Sequence, residues 1–356
     1  MKDITIGGRL IGPDHEPFVI AEMSGNHNRS LDRAIAIIDA VAAAGAHALK
    51  IQTYTADTMT IDLNGGEFTI SDPHSLWHGR SLYDLYREAS TPWEWHSAIL
   101  DRCRQRGLVG FSTPFDETSV EFLESLHVPA YKVASFENTD LPLIRQIART
   151  GKPMIISTGM ATEEELRETV ETARSAGCQD IILLKCTSSY PAAPDQSNLR
   201  TIRDMGERFD VQTGLSDHTI GIAAALTAVG MGATVIEKHV TLSRADGGPD
   251  AAFSLEPSEL AQLVTGVSIA WQSLGCVQYG PSRGEKRSLQ FRRSLYVVEN
   301  VKAGERLTSK NLRAIRPGLG LSPKYYDGLI GKRVTRDIDR GTPLILELVE
   351  SEERPA

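Results

Sequence analysis

The chain has 356 residues, 41% hydrophobic and 24% charged, the make-up of an ordinary globular protein with material for one large domain and a small one. A formal net charge of −8 argues against nucleic acid or an anionic membrane as the main partner, because either would need a basic face. Cys103, Cys178, Cys186 and Cys276 lack CxxC spacing, which disfavours disulfides or a zinc knuckle and suits a reducing cytoplasm. The start, Met1 to Gly8, lacks the apolar core of a signal peptide, and no apolar run approaches the ~20 residues of a bilayer span.

In chain order, Ile4 and Ile6 alternate like a strand before a turn at Gly12-Pro13-Asp14. The run 18–22 is a buried strand ending in the carboxylate of Glu22, followed by a polar loop. Ser30 can cap the alanine-rich helix that runs to Ala44, and Gly45 can end it. The same rhythm of strand, polar strand end and helix returns with strands predicted at 48–54, 108–114, 130–135, 153–159, 181–187, 211–218 and 233–240. Eight such units predict a closed (β/α)8 TIM barrel over residues 1–280. An open doubly wound sheet is the weaker alternative, because no G-x-G-x-x-G loop follows the first strand. The long connection 55–91 has the length of a lid or substrate-contacting insertion, while most of its aromatics are expected to pack locally on the rim. A polar linker, 281–291, leads to a mostly β module at 292–352, where 301–307 is loosely echoed by 338–344.

Chemistry concentrates at the strand ends. Gly214-Leu215-Ser216-Asp217-His218-Thr219 and Ala233-Thr234-Val235-Ile236-Glu237-Lys238-His239 put two histidines at the same end of neighbouring parallel strands. That is the end where such barrels keep their active sites, and two imidazoles there can hold a divalent metal with open positions for water and substrate. Lys50 and Gln52 point one way on their strand, as do Glu237 and His239 on theirs. Lys132, Lys185, Thr113, Ser135, Ser157, Thr158 and Thr187 occupy other strands or strand ends. Two readings of the lysines stand: internal ion pairs of Lys50, Lys132 and Lys185 with Glu22, Glu137 and Glu237, or a cradle for an anion such as a phosphate ester. Arg292, Arg293 and Arg316 are either surface charges or groups that reach a substrate from the small module.

The motifs Ala21-Glu22 with Asn26-His27, Lys50-Ile51-Gln52-Thr53, Ser112-Thr113-Pro114-Phe115, Tyr131-Lys132-Val133-Ala134-Ser135, Ser157-Thr158-Gly159-Met160, the Gly214 to His218 stretch and Gly248-Pro249-Asp250 resemble the sialic acid synthases. The tail resembles their antifreeze-like (SAF) domain. Within that family, Gln52 to Thr58, Ser81 to Tyr86, Thr91 to His96, Phe291 to Tyr296 and Pro323 to Tyr326 resemble the pseudaminic branch. The resemblance implies condensation of phosphoenolpyruvate with an open-chain acetamido sugar, here 2,4-diacetamido-2,4,6-trideoxy-altrose, giving a nine-carbon 2-keto acid and phosphate. The neuraminic and legionaminic branches would differ in the sugar. It also implies a divalent cation, manganese or magnesium with cobalt as a further candidate, and a domain-swapped homodimer whose small domain caps the partner's barrel.

By motif, His218 and His239 correspond to metal ligands and Glu22 to the catalytic acid/base. Lys50, Thr113, Lys132, Ser135 and Ser216 correspond to phosphoenolpyruvate contacts, and Gln52, Glu137, Tyr190, Asp250 and Arg316 to sugar contacts. Ser188 stands where the neuraminic branch usually carries Asn beside the enolpyruvate, a departure that favours the pseudaminic branch. In the expected chemistry the metal polarises the sugar aldehyde, and Glu22 activates water for addition at the former enol carbon. The competing expectations are a Schiff-base aldolase using Lys50, Lys132 or Lys185, and, remotely, a sugar-binding or ice-binding protein.

Overall fold

The computed structural model of the chain describes residues 2–350, so Met1 and residues 351–352 of the expected small domain lie outside the described residues. The chain divides into two compact units, Met1–Gly275 and Cys276–Ala356. In the first, a hairpin of β1 (Ile4–Ile6) and β2 (Arg9–Ile11) precedes eight strands that close into a parallel barrel. These are β3 (Phe18–Glu22), β4 (Ala48–Thr53), β5 (Val109–Pro114), β6 (Tyr131–Val133), β7 (Met154–Ser157), β8 (Ile181–Cys186), β9 (Gln212–Asp217) and β10 (Val235–His239). They follow one another around the ring, with β10 closing against β3. The closed ring removes the open-sheet alternative.

Strand periodicity sorts the residues. Phe18, Ile20, Ala48, Phe111, Ile155, Leu184 and Val235 belong to one buried cluster that includes the barrel interior. Their neighbours Val19, Ala21, Leu49, Ile51, Leu215 and Ile236 pack with Ile37, Ile38 and Val41 of the first helix, Leu31–Ala43. Burying each large side chain contributes about 1.5–3 kcal/mol, so a one-residue slip in any strand would forfeit several such terms at once. At Gly214 a Cβ would stand 2.2 Å from the Val235 carbonyl oxygen and 2.7 Å from Leu184 Cδ2, which leaves room for glycine only. The hairpin adds Ile4, Ile6 and Ile11 to the interior cluster, and the Gln212 amide at the start of β9 donates to the Lys2 carbonyl at 2.9 Å. The amino-terminal end of the barrel is thereby plugged, and the polar residues are left to the other end.

Local signals set where the helices begin. Ser30 Oγ accepts from the Arg33 amide at 3.2 Å, and Thr162 forms a reciprocal capping box with Glu165 at the head of Glu163–Ser175. Each cap contributes on the order of 1 kcal/mol. Strand β6 is shorter than expected because the chain turns at Ala134, whose carbonyl accepts from the Glu137 amide at 3.2 Å. Ser135 and Glu137 therefore project from a turn.

One pair of charged residues near the histidines faces away from the cavity. Lys238 and Asp217 alternate with Glu237 and Ser216, so they point outward, where Lys238 Nζ meets Asp217 Oδ2 at 2.8 Å and also donates to the Thr219 carbonyl. Both side chains are almost completely buried. Lys238→Met alone is expected to cost about 3–5 kcal/mol, because it strands a buried carboxylate, whereas the double variant Asp217→Asn/Lys238→Met recovers most of that loss. Urea unfolding of the three proteins measures it, and a single-variant loss below about 1 kcal/mol contradicts it.

The second unit pairs β11 (Ser294–Val297) antiparallel with β12 (Leu312–Ile315) and adds isolated bridges such as Val301 to Ile338. Leu295, Val297, Val301, Leu307, Leu312, Val334, Ile338 and Leu344 form its small core. The echoed segments thus meet through their first residues, Val301 and Ile338. Among the described residues no helix is long and apolar enough to cross a membrane.

Candidate active site

The register of three strands assembles the floor of the site. His239 of β10 is paired with Glu22 of β3, and Glu22 with Lys50 of β4. Lys50 Nζ closes an ion pair with Glu22, donates to Thr113 Oγ1 at 3.1 Å and lies 3.8 Å from Glu237. Gln52 Nε2 donates to the other oxygen of Glu22 at 3.1 Å. Lys132 Nζ donates to Ser157 Oγ at 2.7 Å and to the Val133 carbonyl at 2.9 Å, with Glu237 at 4.0 Å. Ser216 donates to Glu237 at 3.1 Å, and the second oxygen of Glu237 is buried without a hydrogen-bond partner.

Two ammonium groups and two carboxylates therefore share one buried floor, and burial sets their balance. Burial opposes the charge of Lys50, but the Glu22 and Glu237 carboxylates outweigh it and hold its pKa above the ordinary value. At Lys132 burial wins over Glu237 and the pKa falls. At Glu22 burial outweighs the pull of Lys50 and raises the pKa, the condition of a group that can hold and release a proton. Burial also acts on Glu237, but Lys132, Lys50 and the Ser216 hydroxyl keep its pKa low. An incoming phosphate or carboxylate would repay the desolvation of Lys132.

Beside this floor stand the imidazoles. The rings of His218 and His239 lie 5.3 Å apart between centroids, and Phe253 packs 5.0 Å from His239. His218 Nδ1 lies 3.0 Å from the Thr187 carbonyl, which as acceptor fixes the proton there and leaves Nε2 free. Burial first, then His218 and Lys50, holds His239 well below the usual histidine range, so its ring is neutral. Its Nδ1 is buried with no hydrogen-bond partner, and Asp250 Oδ2 is 3.7 Å away. Asp250 is itself fixed by a hydrogen bond from Ser24. Among the described residues no group of three or more His, Cys, Asp and Glu side chains is placed so that it could hold a metal ion. Two imidazole donors, one with an orphaned ring nitrogen, fit an open divalent site that completes its shell with water or substrate.

Above the floor is a cavity of about 400 Å³. Lys50, Gln52, Lys132, Ser135, Glu137, Tyr190, Ser216, His218, His239 and Asp250 all line it. Glu22 and Thr113 stand behind Lys50, which touches both, and Ser188 lies outside the lining with its Oγ 3.9 Å from Cys186 Sγ. Arg316 belongs to the second unit, where it lines a separate cleft with Arg293 and Arg313.

Two expectations need correction. Lys185 does not join the lysine cluster: it is one residue out of phase with the cavity-lining Cys186, and its Nζ donates to the Cys186 carbonyl at 2.8 Å. Glu137 forms no ion pair among the described residues, and its Oε2 is buried without a hydrogen-bond partner. Sequence reasoning also passed over Cys186 and Ser24, which line the cavity. The step of two from Leu184 was a usable signal for Cys186. Burial would raise the Cys186 thiol, but His218, Ser135 and Lys132 outweigh it and hold it at about 7.

Burial pushes Glu137 up from the ordinary 4.5 to about 7. The folded state then binds more protons than the unfolded state between those values, so this group's contribution is full below pH 4.5 and is lost as pH rises through 7. The wild type is expected to lose up to roughly 3 kcal/mol relative to Glu137→Gln across that window. Denaturant unfolding of both proteins at pH 4.5 and 7.5 measures the difference, and parallel profiles contradict it.

The NeuB family model matches residues 37–279, and the SAF domain model matches residues 292–350. The chain belongs to the NeuB family. It is 42% identical over 331 residues to the pseudaminic acid synthase of Campylobacter jejuni, covering 93% of this chain and 96% of that protein. The pseudaminic acid synthase of Helicobacter pylori is 40% identical over 336 residues, covering 94% of this chain and 98% of that protein. Among solved structures, the N-acetylneuraminic acid synthetase of Leptospira borgpetersenii, in complex with citrate, is 31% identical with a TM-score of 0.72, covering 82% of this chain and 96% of that one.

Proposed function

We propose that the protein condenses phosphoenolpyruvate with 2,4-diacetamido-2,4,6-trideoxy-altrose and water to give pseudaminic acid and phosphate. The observation that carries this assignment is the 42% identity with a pseudaminic acid synthase along 93% of the chain. The floor chemistry supports it. Lys132, Ser157 and Ser216 offer a cation and hydroxyl groups to the anionic substrate, and Lys50 adds a second fixed positive charge. Held there, the methylene carbon of phosphoenolpyruvate faces the sugar carbonyl and forms the new C–C bond. Glu22 takes a proton from the water that adds to the former enol carbon. The C–O bond to phosphate then breaks as the new hydroxyl collapses to the ketone, and the lysines stabilise the departing charge.

His218 and His239 would hold a divalent cation, manganese or magnesium, whose contribution is Lewis acidity toward the sugar's carbonyl. Because His218 is shifted up by Cys186 and the Thr187 carbonyl against the effect of burial, cation and proton compete for that ring. A Schiff-base route asks for an unprotonated amine, which Lys50, kept charged by Glu22 and Glu237, does not offer, whereas burial lowers the pKa of Lys132 and Lys185; borohydride trapping with pyruvate separates that route from the condensation. Assembly as a homodimer, with Arg316 reaching the sugar from the partner subunit, belongs to the same proposal. Arg293, Arg313 and Arg316 line one cleft of the second unit, a local concentration of positive charge that suits an anionic group. A reducing cytoplasm suits the four free cysteines.

The test is incubation of the purified protein with phosphoenolpyruvate, manganese and a panel of acetamido sugars, with phosphate and product mass as readouts. A nine-carbon diacetamido 2-keto acid from the altrose sugar is expected. Product from N-acetylmannosamine alone would overturn the proposal.

A further inference from the structure

The cavity has two kinds of wall. Strand ends and the loops after them supply most of its charged and hydrogen-bonding groups, whereas the connection 55–91 contributes Met59, Ile70, Trp77, Leu82, Leu85 and Tyr86. From that connection the other lining residues are Ala89 and Ser75. Trp77 has no free donor for a ligand, because its Nε1 donates to the Pro249 carbonyl at 2.9 Å. That bond and the 5.7 Å approach of its ring to Tyr190 pin the connection to the loops after β10 and β8, so the apolar wall is in place before any ligand arrives. Its side-chain polar handles are the hydroxyls of Ser75 and Tyr86.

Resting on the functional proposal above, we infer that this wall is the specificity element of the site: it receives the deoxy methyl and the N-acyl methyls of the sugar. The enzyme thereby selects a 6-deoxy diacetamido hexose over its 6-hydroxy counterpart. The polar floor takes the end of the sugar that reacts, which leaves the far end of the molecule against the six apolar side chains. A methyl group there gains by burial, whereas a hydroxyl there gives up hydrogen bonds to water that two handles cannot all replace. An apolar wall rejects an added hydroxyl only moderately, so the preference is set at about 10- to 100-fold in kcat/KM. The Ser75 and Tyr86 hydroxyls are placed to serve an amide of the same sugar.

The experiment compares the two sugars, identical but for the C6 hydroxyl, by phosphate release and by quenching of tryptophan fluorescence, with Trp77→Phe identifying the signal from the wall. Wild type is expected to favour the deoxy sugar by the factor above, mostly through KM. Ile70→Gln and Leu82→Gln are expected to bring the ratio at least about fivefold closer to one. Equal use of the two sugars by wild type, or variants that lose both in the same proportion, overturns the inference. If neither sugar releases phosphate the functional proposal fails, and the binding arm still decides the wall. Tighter quenching by the deoxy sugar supports it, and equal or absent quenching rejects it.

Discussion

Glu22→Gln is expected to lower turnover by about 10²- to 10⁴-fold, the range in which a positioned acid/base acts. The substitution keeps the shape of the side chain and the hydrogen bond from Gln52, but removes the atom that takes the proton. It does not leave Lys50 stranded, because Glu237 at 3.8 Å and Thr113 at 3.1 Å still face its ammonium group. The fold should therefore survive, with the thermal midpoint and the KM for phosphoenolpyruvate little changed. Single-turnover phosphate release separates the chemical step from binding. A variant within about tenfold of wild type would falsify the assignment of Glu22, because a spectator carboxylate in this position loses no more than that.

Removal of divalent cations carries the second large effect. After exhaustive chelation, turnover is expected to fall by about 10³-fold or more, since Lewis-acid stabilisation supplies several kcal/mol, and to return on addition of manganese. His239→Ala should resist that rescue, because it deletes the ring whose nitrogen is left orphaned beside Asp250. Direct titration of manganese by its paramagnetic signal gives a readout independent of activity. Undiminished turnover in the rigorously cation-free protein, or manganese affinity unchanged in His239→Ala, contradicts the assignment of these histidines.

The barrel was legible because its strands are buried on both sides, and short apolar runs with polar tips are hard to mistake when eight occur in succession. The histidine pair was legible for the same reason: a strand end held in the ring also holds the residues next to it. What the sequence hid was phase. Lys132 and Lys185 look alike in their local sequence, yet one lines the cavity and the other lies outside its lining with its amine on the Cys186 carbonyl, and a shift of one residue separates those fates. Asp217 and Lys238 adjoin the histidines in the sequence, yet they face the outer layer and pair there with each other. Glu137 was one of the carboxylates that could pair with the lysines, but β6 ends early and the side chain projects from the turn after it into the cavity without an ion pair among the described residues. The connection 55–91 was recognised by length alone. Its share of the cavity depends on tertiary contacts, such as Trp77 to Pro249, that no local pattern announces.

The alternation along β10 bears on how such a protein can change. Glu237, Lys238 and His239 serve the cavity, the outer layer and the cavity in turn, so deletion of one codon there would thrust an amine among the reacting groups and evict a carboxylate into the hydrocarbon packing. Insertions and deletions are thus barred from the staves of the barrel, while the long connection, which no strand pairing in the ring locks in place, remains open to them. A change of length in that segment would thus reshape one wall of the cavity and leave the strand register that holds the reacting groups as it is.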